Sequence, residues 1–156
     1  MEATALETTR KRTLMQSKIH LEQRYAHPRG KVWRVLTEPA LMQKWGMRPE
    51  GFTPVVGTRF KLVDDGEHRG WRGFVECEVL EVERERLLRI TWVGDEKTKP
   101  QTVTYTLADD GAGTLLTLDH EGFEGIGGFV LSRFILARGW KGMLRRRLVQ
   151  VIGGVA

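Results

Sequence analysis

The stretch FVLSRFILARGWKGMLRRRLVQVI, residues 129–152, decides the fold that this sequence predicts. Its apolar residues recur at helical spacing, and Trp140, Leu144, Leu148 and Val151 form one stripe, which predicts a long amphipathic helix. This helix follows a long run of strand-patterned sequence. The sheet made by those strands is the surface against which the helix can bury its tryptophan, so we predict an α+β domain.

Six segments ahead of this helix alternate between apolar and polar residues, as half-buried strands do. In the first segment, residues 18–25, the side chains of Ile19, Leu21, Gln23 and Tyr25 share one face. The turn residues between the later segments predict antiparallel hairpins. Those five segments are residues 59–64, 72–83 (with a bulge or bend near Leu80 and Val82), 87–93, 101–108 and 114–121.

Two short helices and two connections complete the predicted order of elements. One helix begins after Pro28 and the other at Pro39, because proline is favoured in the first turn of a helix. Residues 46–57 are predicted to be a connecting loop. Residues 122–128 contain four glycines, which predicts a mobile link into the last helix and a natural gate.

Length and composition limit the classes of protein that fit. The 156 residues suit one domain, and we predict a flexible arm over residues 1–17 and a folded domain over residues 18–156. No apolar run approaches the ~18 residues of a transmembrane helix, so no transmembrane segment is predicted. Cys77 is the only cysteine, which indicates a reducing compartment and a cytoplasmic location. The net charge is +5, but motifs of nucleic-acid-binding proteins are absent, and no nucleic-acid partner is predicted.

Several short motifs, in order, resemble a known family. They are Pro28 with Val32-Trp33, then Leu36-Thr37-Glu38-Pro39, Lys44-Trp45, His68-Arg69-Gly70 and Gly139-Trp140. Over about residues 19–151 the chain resembles the heat-shock-protein-90 ATPase activator homologue family of the START-like (SRPBCC) group. The resemblance implies the helix-grip fold, in which a curved antiparallel sheet of about six strands wraps around the long helix and leaves a cavity. Members of the group bind apolar small molecules or act as chaperone co-factors.

The aromatic residues are the first candidates for a site. Core packing alone accounts for their number, since burying one tryptophan removes ~150–250 Å² of surface from water. The alternative is that Trp92, Tyr105, Trp140 and Leu144 line a small-molecule cavity. Both interpretations apply to the whole set: Trp33, Trp45, Phe60, Trp71, Trp92, Tyr105, Phe123, Phe134 and Trp140.

Two polar residues are predicted to lie near that cavity. His120 shares a strand face with Leu116 and Leu118, so it is either a hydrogen-bonded core histidine or a group that orients a ligand. At 100° per residue, Arg133 falls near the centre of the stripe that holds Trp140. Arg133 would then hold a ligand carboxylate, or extend to solvent near the start of the helix.

The last helix also carries a cluster of cations, Arg138, Lys141, Arg145, Arg146 and Arg147. An anionic membrane or partner surface would attract such a cluster. A solvated face of a terminal helix is the more common explanation, and we prefer it here.

No set of residues predicts catalysis. Asp119, His120 and Glu121 are adjacent on a strand, so their side chains cannot all converge on one point. Metal-binding, glycine-serine and phosphate-loop motifs are absent, so no catalytic residue, metal or cofactor is predicted. The leading hypothesis is non-enzymatic binding of an apolar or amphipathic small molecule. The alternatives are an interaction module that binds a chaperone partner and an enzyme that acts on an apolar substrate.

Overall fold

The computed structural model describes residues 16–68 and 70–156, in which seven antiparallel strands form one sheet. The spatial order is β1-β7-β6-β5-β4-β3-β2, so the first strand of the chain pairs with the last. The strands are β1 Gln16–Tyr25, β2 Arg48–Glu50, β3 Arg59–Val63, β4 Phe74–Glu83, β5 Leu87–Trp92, β6 Gln101–Asp110 and β7 Gly113–Glu124. The predicted arm lies almost entirely outside the described residues, except that β1 begins two residues earlier than expected.

The predicted sheet had six strands, and the additional strand is β2. It lies inside the segment 46–57 that was predicted to be a loop, and it pairs with β3 at the edge of the sheet. Its central residue is Pro49, which an edge strand tolerates because the missing N–H group can face away from the ladder. A strand of three residues is too short to show an alternating pattern, so the sequence signal was absent.

A bulge in β4 confirms the bend predicted near Leu80. The pairing register between β4 and β5 shifts between Val79 and Glu81. Val79 is fully buried, whereas Leu80 is partly exposed to solvent. The extra residue bends the strand, as bulges do, and this helps the sheet to curve around the helix.

Two short helices follow β1, as predicted. Helix α1, Arg29–Thr37, begins directly after Pro28, and helix α2, Pro39–Trp45, has its proline in the first turn. The indole N–H of Trp45 donates a hydrogen bond of 2.9 Å to the main-chain carbonyl of Val35. This bond fixes α2 against α1.

The long C-terminal helix, α3, covers residues 125–153 and contains two π-helical segments. The residues at every junction keep right-handed helical φ and ψ angles, so the helix is continuous. In the π segments an N–H group bonds to the carbonyl five residues earlier: Ala137 to Ser132, and Leu148 to Met143. The successive segments are Gly125–Val130 (α), Leu131–Leu136 (π), Ala137–Gly142 (α), Met143–Arg147 (π) and Leu148–Gly153 (α).

The π segments change which residues α3 buries. In a regular α-helix, residues four apart are rotated by about 40°, so a four-residue repeat drifts around the helix. The wider π turns offset this drift, and the most buried residues recur every four or eight positions. The predicted stripe was therefore right for Trp140, Leu144 and Leu148 but wrong for Val151, which is half-buried. The buried residues of α3 are Ser132, Trp140, Leu144, Leu148 and Ile152.

The predicted glycine-rich link is not a loop. Strand β7 continues through Gly122 to Glu124, and α3 begins at the next residue. Gly122 and Gly125 have φ angles of +100° and +70°, which residues with a Cβ atom rarely adopt. The glycines therefore permit a direct turn from strand to helix, so a separate linking segment is absent here. The mobility of this turn and its role as a gate stay predictions.

Candidate functional site

A small apolar cavity lies between α2, the sheet and α3. Its volume is about 60 Å³, which is room for a few water molecules and well below the ~300–1,000 Å³ of usual ligand pockets. No lining residue carries a charge. The lining residues are Leu36, Met42, Trp45, Gly46, Met47, Phe52, Phe60, Leu62, Leu88, Ile90, Trp92, Tyr105, Trp140 and Met143.

Aromatic rings from four elements meet on the inner side of this cavity. The ring of Trp140, on α3, lies 5.6 Å from the ring of Trp92 and 6.1 Å from that of Tyr105, between centroids. Trp45 approaches Tyr105 edge-on at 6.4 Å. Tilted and edge-on pairs are the favoured arrangements of aromatic rings, so the cluster is a packed wall.

Two polar atoms of the lining have no hydrogen-bond partner among the described residues: the hydroxyl oxygen of Tyr105 and the indole nitrogen of Trp92. Within those residues every fully enclosed side-chain nitrogen or oxygen has a partner, so both atoms retain some accessible surface. Burial raises the pKa of Tyr105 far above its usual value, which keeps the hydroxyl protonated. The Tyr105 hydroxyl can therefore donate a hydrogen bond to a group placed in the cavity.

Behind the cavity wall, His120 links Trp140 to Gln101. The indole N–H of Trp140 donates to Nδ1 of His120 at 3.0 Å, and Nε2 of His120 lies 2.8 Å from Oε1 of Gln101. An indole nitrogen can only donate, so Nδ1 must be the unprotonated nitrogen. The proton therefore lies on Nε2, which donates to Gln101. These contacts fix the tautomer of the imidazole and the orientation of the indole.

His120 is neutral at physiological pH. It is fully buried, and the loss of water around it lowers its pKa to about 3. Both ring nitrogens are already engaged in hydrogen bonds, and His120 does not line the cavity. The geometry therefore favours the interpretation of His120 as a hydrogen-bonded core histidine that holds Trp140 in place.

The predicted place of Arg133 at the centre of the buried stripe was wrong, but the alternative that its side chain extends to solvent agrees with the structure. Its side chain is exposed, and Ser132 takes the buried position, with its Oγ atom 2.8 Å from Oγ of Ser17 on β1. The π segment Leu131–Leu136 causes this shift, because one extra residue in the turn changes the angular position of every residue before it relative to Trp140. A helical wheel drawn at 100° per residue cannot anticipate such a turn.

Three of the six predicted site residues line the cavity. They are Trp92, Tyr105 and Trp140, and their role as ligand contacts stays a prediction. Leu144 is buried but lies outside the lining, as does His120.

Sequence reasoning missed the methionines. All three methionines of the described residues, Met42, Met47 and Met143, line the cavity. Methionine is unbranched and adapts its shape to its surroundings, so it is common at sites that accommodate ligands. The signal was available in the sequence, but nothing local indicated that these three positions would converge.

Cys77 is a buried residue of the sheet, as its strand pattern predicted. Burial raises the pKa of its thiol to about 12, so the reactive thiolate form is scarce. Cys77 is therefore a packing residue and has no features of a nucleophile.

Comparison with known proteins supports the fold and decides the family. The family model described as "Activator of Hsp90 ATPase homolog 1-like protein" matches residues 26–153. The chain belongs to this family. The resemblance in the sequence motifs is thereby confirmed, and so is the helix-grip fold, with seven strands in place of six. No curated protein matches the sequence.

Solved structures of the same fold come from several bacteria. Protein MLL2253 from Mesorhizobium loti is 30% identical, with a TM-score of 0.72 over 90% of this chain and 99% of that one. CalU16 from Micromonospora echinospora is 27% identical, with a TM-score of 0.68 over 89% of this chain and 78% of that one. Protein BH1534 from Bacillus halodurans, 24% identical, shares the fold with a TM-score of 0.68, over 88% of this chain and 99% of that one.

Proposed function

We propose that this family member binds an apolar or amphipathic small molecule between the sheet and α3, without chemical conversion. The observation that carries the proposal is a partly enclosed apolar space whose lining contains two hydrogen-bond donors, on Tyr105 and Trp92, that have no partner among the described residues. A hydroxyl or indole N–H group that lines an apolar cavity is stabilised by a hydrogen-bond partner, and a ligand would supply one here. On this proposal, the cavity, whose volume is about 60 Å³, is the closed form of the site.

Opening of the site requires its adaptable wall to move. Met47 and Phe52 flank the short edge strand β2, and Met143 lies in the second π segment of α3. The opposite wall consists of residues of β5 and β6, which are held by strand pairing on both sides. We expect the methionine side chains to change rotamer first, because each has three rotatable bonds.

The lining also indicates the chemistry of the ligand. A charged ligand would be buried without a counter-ion, which is costly, so a neutral molecule fits better. Its apolar body would contact Ile90 and Trp140, and a carbonyl or ether oxygen would accept a hydrogen bond from the Tyr105 hydroxyl. This differs from the carboxylate ligand considered for Arg133, whose side chain is exposed.

The test begins with native mass spectrometry of the full chain purified from its own host. We expect a co-purifying neutral molecule, which is then identified and titrated against the apo-protein by calorimetry. Met143→Trp should fill the cavity and weaken binding by tenfold or more. Leu136→Trp is the matched control, because Leu136 is a partly buried residue of α3 that does not line the cavity. Equal losses in both variants, or unchanged affinity in Met143→Trp, would contradict the proposal.

The family match favours a second candidate, a chaperone partner, since the family description names an activator of the Hsp90 ATPase. Its test is whether this protein raises the ATPase rate of purified Hsp90 and elutes with it. An unchanged rate together with separate elution would reject this role. The third candidate, an enzyme that uses His120 as acid or base, has less support because both nitrogens of His120 are engaged.

We place this activity in the cytoplasm. Cys77 is a free buried thiol, which is compatible with a reducing compartment. Among the described residues, no helix has the length and apolar character to cross a membrane. Fractionation of the native host, followed by immunoblotting, checks this location.

A further inference from the structure

The outward face of α3 combines exposed apolar residues with exposed cations. Of the nine large apolar residues that the described part of the chain exposes, five lie on this helix. The most exposed of these five helix residues are Ile126 at 85%, Phe134 at 61% and Ile135 at 59%. Monomeric proteins seldom expose several large apolar residues on one surface unless that surface binds a partner, so we expect this surface to be a binding site.

The four-residue repeat of α3 aligns three of these apolar residues, Ile126, Val130 and Phe134, along one line. The buried residues Ser132, Trp140 and Leu144 face the sheet, so residues two positions further along the helix face away from it. That outward line contains Ile126, Val130, Phe134, Arg138, Gly142 and Arg146, and it is about 30 Å long at ~1.5 Å per residue. Its first part is apolar and its second part is cationic.

The charge of α3 indicates what kind of partner fits. The helix contains six cations and no acidic residue, so the remaining chain has 19 basic and 20 acidic residues. The positive net charge of the protein therefore resides in this helix. All six cations of α3 are exposed to solvent: Arg133, Arg138, Lys141, Arg145, Arg146 and Arg147. None of them takes part in an ion pair within the described residues.

We infer that the outward face of α3 docks on the surface of an anionic lipid bilayer. A bilayer surface offers anionic headgroups to the cations and an apolar interior to Ile126, Val130 and Phe134, which lie along the outward line. A nucleic acid would match only the cations and would leave the apolar residues exposed. A second copy of the same face would bring like charges together. The helix lies in the plane of the interface and does not cross the membrane.

The test measures binding of the full-length protein to vesicles by co-sedimentation. One set of vesicles is pure phosphatidylcholine, and the other contains phosphatidylglycerol as well. We expect partitioning at least tenfold stronger on the anionic vesicles, and weaker binding as sodium chloride is raised. Equal partitioning on both vesicle types, or binding to neither, overturns the inference.

Two pairs of variants assign the binding to this face. The double variant Arg138→Gln/Arg146→Gln should lower partitioning about tenfold or more, since each cation contributes roughly fivefold. Its control is Lys44→Gln/Arg84→Gln, which removes the same charge from other exposed sites and should change partitioning little. Ile126→Ser/Phe134→Ser should lower partitioning about tenfold without changing the charge. Its control is Val55→Ser/Val56→Ser, at residues that are 61% and 62% exposed elsewhere.

These variants also distinguish other partners. All the substituted residues are exposed, so we expect the melting temperature to stay close to that of the wild type. If the apolar pair binds vesicles as well as the wild type, the contact is purely electrostatic and the docking model is wrong. A dimer in sedimentation velocity that Phe134→Ser dissociates, without vesicle binding, would identify a second copy as the partner. Binding to double-stranded DNA but not to anionic vesicles would overturn the inference in favour of a nucleic acid.

Discussion

The hydroxyl of Tyr25 donates a hydrogen bond of 2.6 Å to the main-chain carbonyl of Leu144. In a regular α-helix that carbonyl would accept the N–H group of Leu148, but Leu148 bonds instead to Met143, five residues earlier. The π segment thus frees a carbonyl group, and strand β1 supplies a donor for it. The π segment of α3 is therefore matched by a hydrogen bond from Tyr25, a residue that lies 119 positions away from Leu144 in the sequence.

Tyr25→Phe should destabilise the fold by about 1–3 kcal/mol, because the Leu144 carbonyl loses a buried hydrogen bond. Urea unfolding monitored by circular dichroism measures this loss. Tyr105→Phe is the matched control, because the Tyr105 hydroxyl has no partner among the described residues, and it should change the free energy of unfolding by less than about 0.5 kcal/mol. Equal losses in the two variants would contradict the prediction.

The stability of the protein should fall with acidification because of His120. Its pKa is about 3 in the folded state and 6.5 in the unfolded state, so between these values the unfolded chain binds the extra proton. The contribution of His120 is fully present above pH 6.5 and is lost as the pH falls toward 3. Between pH 7 and pH 5 the expected loss is about 2 kcal/mol.

His120→Gln should remove that part of the pH dependence. Denaturant unfolding at pH 7 and pH 5 measures it as the difference between the variant and the wild type. His20→Gln is the control, because the pKa of the exposed His20 is raised, mainly by its hydrogen bond with Asp119. The stability that His20 contributes is present below its unfolded pKa and is lost as the pH rises through its folded pKa, so its removal should not reduce the acid sensitivity.

The four-residue repeat of α3 predicts different costs for two adjacent substitutions. Ile152 is fully buried, so Ile152→Ala should cost about 2–5 kcal/mol of folding free energy. Val151→Ala should cost about 1 kcal/mol, because the side chain is half-buried. Thermal and urea unfolding compare the two. A larger cost at Val151 would indicate a regular α-helical phase and would contradict the π-helical segments.

The direct turn from β7 into α3 predicts opposite effects at two glycines. Gly125 has a φ angle of +70°, so Gly125→Ala should destabilise the protein by about 1 kcal/mol through backbone strain. Gly127 lies inside the helix with open space at its Cβ position, and Gly127→Ala should stabilise the protein by about 0.4–1 kcal/mol. Melting temperatures report both changes, and a stabilising Gly125→Ala would show that the turn differs from the one described.

Local patterns in the sequence were sufficient to predict most of the strands and helices of the fold. Alternation along β1, β5, β6 and β7 predicted strands and their buried faces, because a half-buried strand needs a period of two. The prolines at the starts of α1 and α2 predicted two helices correctly. The three-residue strand β2 was missed, since a period cannot be recognised in so few residues.

The candidate site was less accessible from sequence, and α3 shows why. The composition and spacing of residues 129–152 were enough to predict an amphipathic helix that buries Trp140 against a sheet. The phase of that helix depends on π-helical turns, which placed Ser132 and Ile152 inside and Arg133 outside. The cavity volume and the bond between Trp140 and His120 depend on contacts between distant segments. The periodicity of a sequence shows only which side of a helix or strand is apolar. Contacts between distant segments determine how that helix or strand is rotated and how closely it packs.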